Sequence, residues 1–206
     1  MGSNRCAPCQ PSAPQTTLAG LPTFSPAITR RPTELEYRRA LPADAESFVR
    51  LMSDESVIRQ LLQQPYPSAA AWRTRLEAQV ADSGSLHLVA VHDGEVVGSA
   101  GVFSASAGLP RLHHVARLGM SVARTWQGQG VGSELMHRLL DWADRWTPYL
   151  RIQLDVFADN RAAIALYEKF GFLHEGCQRA SALRDGRYED CLLMARLHPA
   201  APQWPR

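Results

Sequence analysis

The sequence predicts an α/β protein, with a mixed, mostly antiparallel sheet of about seven strands and helices packed against it. Three observations lead there. Seven short apolar or alternating runs have the length and period of strands. Two turns, Asp93-Gly94 and Asp185-Gly186, each join two such runs as a hairpin, which makes those neighbours antiparallel. Between residues 113 and 156 a strand, a glycine-rich turn, an amphipathic stretch and another strand follow in order. That is a βαβ unit, and it makes one pair of strands parallel.

The elements follow along the chain. Residues 1–33 are polar, rich in Pro and Ser, and without periodicity, so they are expected to form a disordered leader. One folded domain is expected over 34–198, followed by a Pro-rich flexible tail at 199–206. A first strand covers 35–40. Leu41-Pro42-Ala43-Asp44 then starts a helix, with Pro42 in the first turn where its missing N–H costs nothing. Phe48, Leu51 and Met52 share one face of that helix. A second short helix is expected over 55–63, broken by Pro65 and Pro67. Ser68 caps a third over 69–81, with Trp72, Leu76 and Val80 on its buried face. Strands at 86–91 and 96–103 flank the first Asp-Gly turn. A loop at 104–111 leads to the central strand, 113–122. A helix from 131 to 146 stops before Pro148, and 150–156 returns as a strand. Asp159-Asn160 caps a helix running to Phe170, and Gly171 closes it. Strands at 172–182 and 188–197 complete the sheet.

Composition excludes several classes. The chain has 206 residues, of which 45% are apolar and 20% charged, so it can bury a core as an ordinary globular domain. A net charge of +2 without a Lys/Arg stripe argues against a nucleic-acid partner. No apolar run approaches the ~20 residues of a membrane span. The N-terminal stretch lacks the apolar core of a secretory signal. Cys177 and Cys191 stand alone in predicted strands as buried thiols, and a cytoplasmic location is expected. Cys6-Ala-Pro-Cys9 has neither the second ligand pair that zinc needs nor the preceding strand of a redox motif, so no metal is expected.

The chemistry centres on Leu118 to Gly132. An alternating run ends in a loop carrying Gly128, Gly130 and Gly132, and an amphipathic helix begins at once with Val131, Leu135, Met136, Leu139, Leu140 and Ala143. Helix N-termini present free N–H groups and a partial positive charge, so a strand–glycine turn–helix reads as a pyrophosphate cradle. A P-loop would close with Gly-Lys-Ser/Thr, and no lysine is present. A dinucleotide fingerprint needs a third glycine one position later than Gly132.

What fits instead is Gln127-x-x-Gly130-x-Gly132, which resembles the acetyl-coenzyme-A loop of the GNAT family of N-acetyltransferases. A second motif of that family follows at a compatible distance: Asn160 at a helix start, then Ala163, Leu166-Tyr167 and Gly171-Phe172. The resemblance spans about residues 34–197. Within the family the final hairpin, Arg184 to Met194, is similar to that of bacterial L-amino-acid N-acetyltransferases. The resemblance implies a sheet whose central parallel pair is splayed, with the coenzyme's pantetheine arm between the two strands.

It also implies roles. Backbone groups of Met120, Ser121 and Val122 would pair with the arm and polarise the acetyl carbonyl. Gln127, Gly128, Gln129, Gly130, Val131 and Gly132 would hold the pyrophosphate, with Arg124 beside it. Asn160 would bond the arm. Tyr167 lies seven residues on, two helical turns away on the same face, and would protonate the leaving thiolate as general acid. Many relatives carry a general-base Glu on the fourth strand. This strand has none, and His114 is the candidate in its place, with a water chain as the alternative. Tyr66, Arg184 and Tyr188 are candidate acceptor contacts, an arginine being suited to an amino-acid carboxylate. The expected reaction is acetyl transfer from acetyl-CoA to the primary amine of a small molecule, an L-amino acid in the first instance. Polyamine, antibiotic or protein N-terminal acceptors and a non-catalytic acyl-CoA sensor are the alternatives. A homodimer is a further expectation from the family.

Overall fold

The computed structural model of the protein describes residues 35–106 and 108–201. The expected leader, with Cys6 and Cys9, and the end of the tail lie outside the described residues. Seven strands form one sheet: β1 (Glu36–Arg39), β2 (Leu86–His92), β3 (Glu95–Ser104), β4 (Val115–Val122), β5 (Arg151–Phe157), β6 (Leu173–Arg184) and β7 (Arg187–Leu197). Their order is β1-β2-β3-β4-β5-β7-β6. Only β4 and β5 run parallel; every other neighbour pair is antiparallel. The helices are α1 (Ala45–Ser53), α2 (Glu55–Ile58), α3 (Ala69–Ala81), α4 (Val131–Trp146) and α5 (Arg161–Lys169).

Alternation along the strands gives the sheet two apolar faces, and each is covered. On one face α4 buries Val131, Leu135, Met136, Leu139, Leu140 and Ala143 against Ala100, Val102, Ala116 and Leu118. Its apolar positions recur at helical spacing, which is why the stretch folds as a helix on a sheet rather than as a strand. The other face packs Phe48, Leu51, Met52, Trp72 and Leu76 of α1 and α3 on Val89, Val91 and Val96. There Phe48 and Trp72 stack with ring centroids 4.5 Å apart.

Local signals set the ends of these elements. Ser68 accepts from the N–H of Ala71 at 3.4 Å and starts α3 at the expected residue. Asn160 accepts from the N–H of Ala163 at 3.2 Å and starts α5. Asp93-Gly94 and Asp185-Gly186 take positive φ at both central positions, as tight hairpins of this kind require.

Three expectations need correction. The second helix ends at Ile58 rather than continuing to residue 63. Its last turn tightens through Gln60 N–H to Val57 O and Leu61 N–H to Ile58 O, and only Val57 is buried to hold it. Val80 is 42% exposed, so the buried face of α3 is limited to Trp72 and Leu76. The central strand begins at Val115, not residue 113, since a 3-10 turn over Pro110–Leu112 draws His113 into its cap. Tyr167 packs on Phe172, with ring centroids 5.8 Å apart.

Candidate active site

Between β4 and β5 the sheet opens. Only Val115, Ala116 and Arg117 pair with Arg151, Ile152 and Gln153. Beyond them β4 keeps β3 as its partner as far as Val122, and β5 keeps β7 as far as Phe157. The facing edges, Leu118–Val122 and Leu154–Phe157, therefore have unspent backbone groups, which an extended polar ligand can satisfy as an inserted strand. The gap widens into a cleft of about 1650 Å³ lined by both strands, the glycine loop, α5 and α3.

The glycine loop closes one end. Gly128 and Gly130 hold φ of 71° and 87°, a region that glycine enters without strain, and Gly130 is the N-cap of α4. Gly132 has a different reason: a Cβ there would come within 3.3 Å of Leu166, so its absence lets α4 start close against α5. The helix's first backbone bond is Glu134 N–H to Gly130 O, 3.0 Å. The N–H groups of residues 128–133 make no backbone bond among the described residues, and this is a ready cradle for a diphosphate. Gln127 points its side chain back and donates to the carbonyl of Val122 at 2.9 Å, and Gln129 donates to Thr125 O. Arg124 stands in the turn before the loop and Arg161 at the start of α5; both line the cleft.

Tyr167 and Asn160 reach the same cleft from α5. Tyr167 is 6% exposed, and burial pushes its phenol up to about 12, so the hydroxyl is a proton carrier across the physiological range. Met120, Ser121 and Val122 line the cleft beside it. Val131 turns its side chain into the core, and neither it nor Gln129 lines the cleft.

The other sequence candidates lie elsewhere. His114 precedes β4 at the end away from the glycine loop and stacks edge-on with His113; it does not line the cleft. The structure thus gives no path for His114 to an amine held between the strands. Tyr66 is 96% exposed with φ of 62°, and Tyr188 is 75% exposed; neither lines the cleft. Arg184 lies over the Phe157 ring and forms an ion pair with Asp159, whose carboxyl this hydrogen bond holds below its usual range. Its charge is committed, so it is not placed to receive a substrate carboxylate.

Sequence reading missed the α3 wall. Arg75 lies over the Trp72 ring at 5.1 Å and lines the cleft with Gln79, His87, Ser99 and Phe103. The cleft's acids are both paired: Asp155 with Arg117 at 2.5 Å across the splay, and Asp159 with Arg184. Arg59 pairs with Asp185. Among the described residues, the cleft cations without an ion-pair partner are Arg75, Arg124 and Arg161.

A glycine loop at a helix start, an opened parallel pair and a buried phenol form a cleft suited to an extended ligand with an anionic end. Comparison with known proteins gives the chain a family. Residues 48–172 match the sequence pattern described as the acetyltransferase (GNAT) family. The L-amino acid N-acetyltransferase AaaT of Escherichia coli K12 is 38% identical over 165 residues, covering 80% of this chain and 99% of that protein. The crystal structure of a ribosomal-protein-alanine N-acetyltransferase from Brucella melitensis superposes with a TM-score of 0.71 at 26% identity, over 79% of this chain and 99% of that one. A GNAT phosphinothricin acetyltransferase from Sinorhizobium meliloti, solved with AcCoA, shares the fold with a TM-score of 0.71 at 22% identity over 80% of this chain and 88% of that one. This chain belongs to the GNAT acetyltransferase family. It is an N-acetyltransferase, with acetyl-CoA as its co-substrate.

Proposed function

We propose that the acceptor is a free L-amino acid, acetylated on its α-amine by direct attack on the thioester. The observation that carries this reading is the charge balance of the cleft. Arg124 sits in the turn before the glycine loop, where the diphosphate would lie, and Arg161 starts α5 beside Asn160, on the coenzyme's side. Arg75 is the remaining unpaired cation among the described lining residues and stands on the other wall, available for a carboxylate. A polyamine would need free acids instead, and Asp155 and Asp159 are both neutralised by arginines. The similarity to an L-amino acid N-acetyltransferase over nearly that protein's full length agrees.

In this reading the free edge of β4 at Met120, Ser121 and Val122 bonds the coenzyme arm. The unbonded N–H groups over Gly128 to Gly132, with Arg124, hold its diphosphate, and Gln127, whose own N–H is bonded to Arg124 O, shapes the loop. Asn160 has its carbonyl engaged with Ala163, which leaves its amide N–H₂ for the arm. Tyr167 gives its proton to the departing sulfur. The sequence offered His114 as general base. Its position supports a base or water drawn from the cleft instead. A cytoplasmic site of action and a homodimer belong to the same proposal.

The test is a thiol-release assay with acetyl-CoA against L-amino acids, polyamines and aminoglycosides. L-amino acids are expected to turn over best. Arg75→Ala should raise KM for them about tenfold, the scale of one charge-assisted hydrogen bond, and leave carboxylate-free amines unaffected. Preference for polyamines, or equal effects on both classes, would overturn the reading.

A further inference from the structure

The α3 wall of the cleft holds a buried polar chain that coenzyme binding does not use. His87 of β2 is at its centre and is 8% exposed. Its Nδ1 lies 2.8 Å from Gln79 Oε1, and its Nε2 lies 2.7 Å from Ser99 Oγ. A carbonyl oxygen only accepts, so the ring hydrogen is on Nδ1 and donates to Gln79. Nε2 of a neutral ring then only accepts, and Ser99 must give it its single hydrogen. Both bond directions are fixed by one amide oxygen.

The ring is neutral in this setting. Burial pushes its pKa down to about 4, the Arg75 guanidinium of α3 pushes the same way, and Asp44 opposes them. The rings of Phe48 and Phe103 pack around it. Ser99, with its hydrogen spent, offers the cleft lone pairs only. A hydroxyl in that state recognises an N–H or O–H donor and repels a carbonyl oxygen.

Ser99 and Ser121 are directly opposite in the β3–β4 ladder and so share a face of the sheet. Ser121 is 7% exposed, and its Oγ is buried with no hydrogen-bond partner among the described residues. Both serines line the cleft. A buried hydroxyl left unpaired is costly, and it marks a place where a ligand group completes the bonding.

We propose that Ser99 and Ser121 form the seat of the acceptor's amine, with His87 as the positioning residue that keeps Ser99 acceptor-only. Ser99 Oγ takes one N–H of the neutral primary amine, and Ser121 Oγ takes the other. The nitrogen is then held by its hydrogens, with its lone pair free to face the acyl carbon beside β4. Arg75 on the same wall takes the far end of the acceptor. The seat rests on the N-acetyltransferase reading given above.

The test uses the full chain and the best amine from the panel. Ser99→Ala and Ser121→Ala should each raise the amine's KM about tenfold, while acetyl-CoA affinity by calorimetry stays within about twofold. Ser99→Thr keeps the hydroxyl and should restore KM. His87→Phe should reproduce the Ser99→Ala effect, and the double variant should be no worse than either single one, since the two act in series. Ser121→Ala should leave the free protein's Tm unchanged or raised, because it removes an unpaired buried hydroxyl; a merely structural serine would lower it. Unchanged amine KM in both serine variants, additive effects of His87→Phe and Ser99→Ala, or a lowered Tm for Ser121→Ala would each overturn the seat while leaving the amino-acid reading standing. A wild-type protein that binds acetyl-CoA and acetylates no amine would overturn both.

Discussion

The side-chain amide of Gln127 donates to the carbonyl oxygen of Val122 over 2.9 Å, tying the glycine loop to the end of the strand it leaves. The motif's glutamine therefore shapes the loop, and in the proposed function the loop's N–H groups are left to meet the diphosphate. Gln127→Ala should raise the Kd for acetyl-CoA about tenfold, the cost of losing one such bond in a loop that must be preordered. Gln127→Glu should be worse, since a carboxylate cannot donate and brings negative charge to the phosphate end. Calorimetric titration of both variants checks this. An alanine variant that binds as tightly as wild type would show that the tie is dispensable.

Tyr167 is expected to control turnover and not affinity. Tyr167→Phe removes the only proton the phenol carries and keeps the ring packed on Phe172. The rate should fall by roughly 10²–10⁴, the usual contribution of a positioned acid, with the acetyl-CoA Kd within about twofold. Because burial holds the phenol near about 12, kcat of the wild type should show no loss from this group up to pH ~10. A Phe variant with wild-type kcat would assign the proton to another donor.

His87 makes the fold itself sensitive to pH. Its folded pKa is about 4 against 6.5 for the free side chain, so between those values the unfolded chain binds a proton that the folded one refuses. The stability it contributes is complete above pH 6.5 and is lost as pH falls through the window to about 4. At 1.36 kcal/mol per unit the loss at the bottom of the window is about 3 kcal/mol. Urea unfolding from pH 7 to pH 4.5 should show this slope, and His87→Phe should flatten it. A wild-type curve that stays level over the window would mean that the imidazole is solvated in the folded protein.

How much of this was legible in the sequence depended on how local each signal was. Ser68, Asn160 and Gly171 punctuate helices through bonds to residues three or four away, and α3 and α5 begin and end where they predict. The geometry of the glycine loop was legible for the same reason, since Gln127, Gly130 and Gly132 act within one turn of chain. The second helix was misjudged because residues 59–63 have helical spacing but only Leu61 packs on the core, partly, while Leu62 is left exposed. His114 was misplaced because the 3-10 turn at Pro110–Leu112 gives no periodic signal. The α3 wall was invisible because Gln79, His87 and Ser99 lie on three elements, α3, β2 and β3. Their meeting is set by strand register and helix docking, and no spacing in the chain encodes it.

Opening β4 from β5 also bears on solubility. The sheet has two outer edges, and the parting of β4 from β5 beyond Arg117 and Gln153 adds two short inner ones. The two inner edges face a cleft lined by α3, α5 and the glycine loop, not the outer rim of the sheet. The two outer edges are poor templates for self-association: β1 is four residues long, and β6 breaks register at His174/Gly176 and again at Gln178/Ala182. The molecule thus keeps its most adhesive backbone indoors, and the opening that admits substrate adds no sticky surface to the outside.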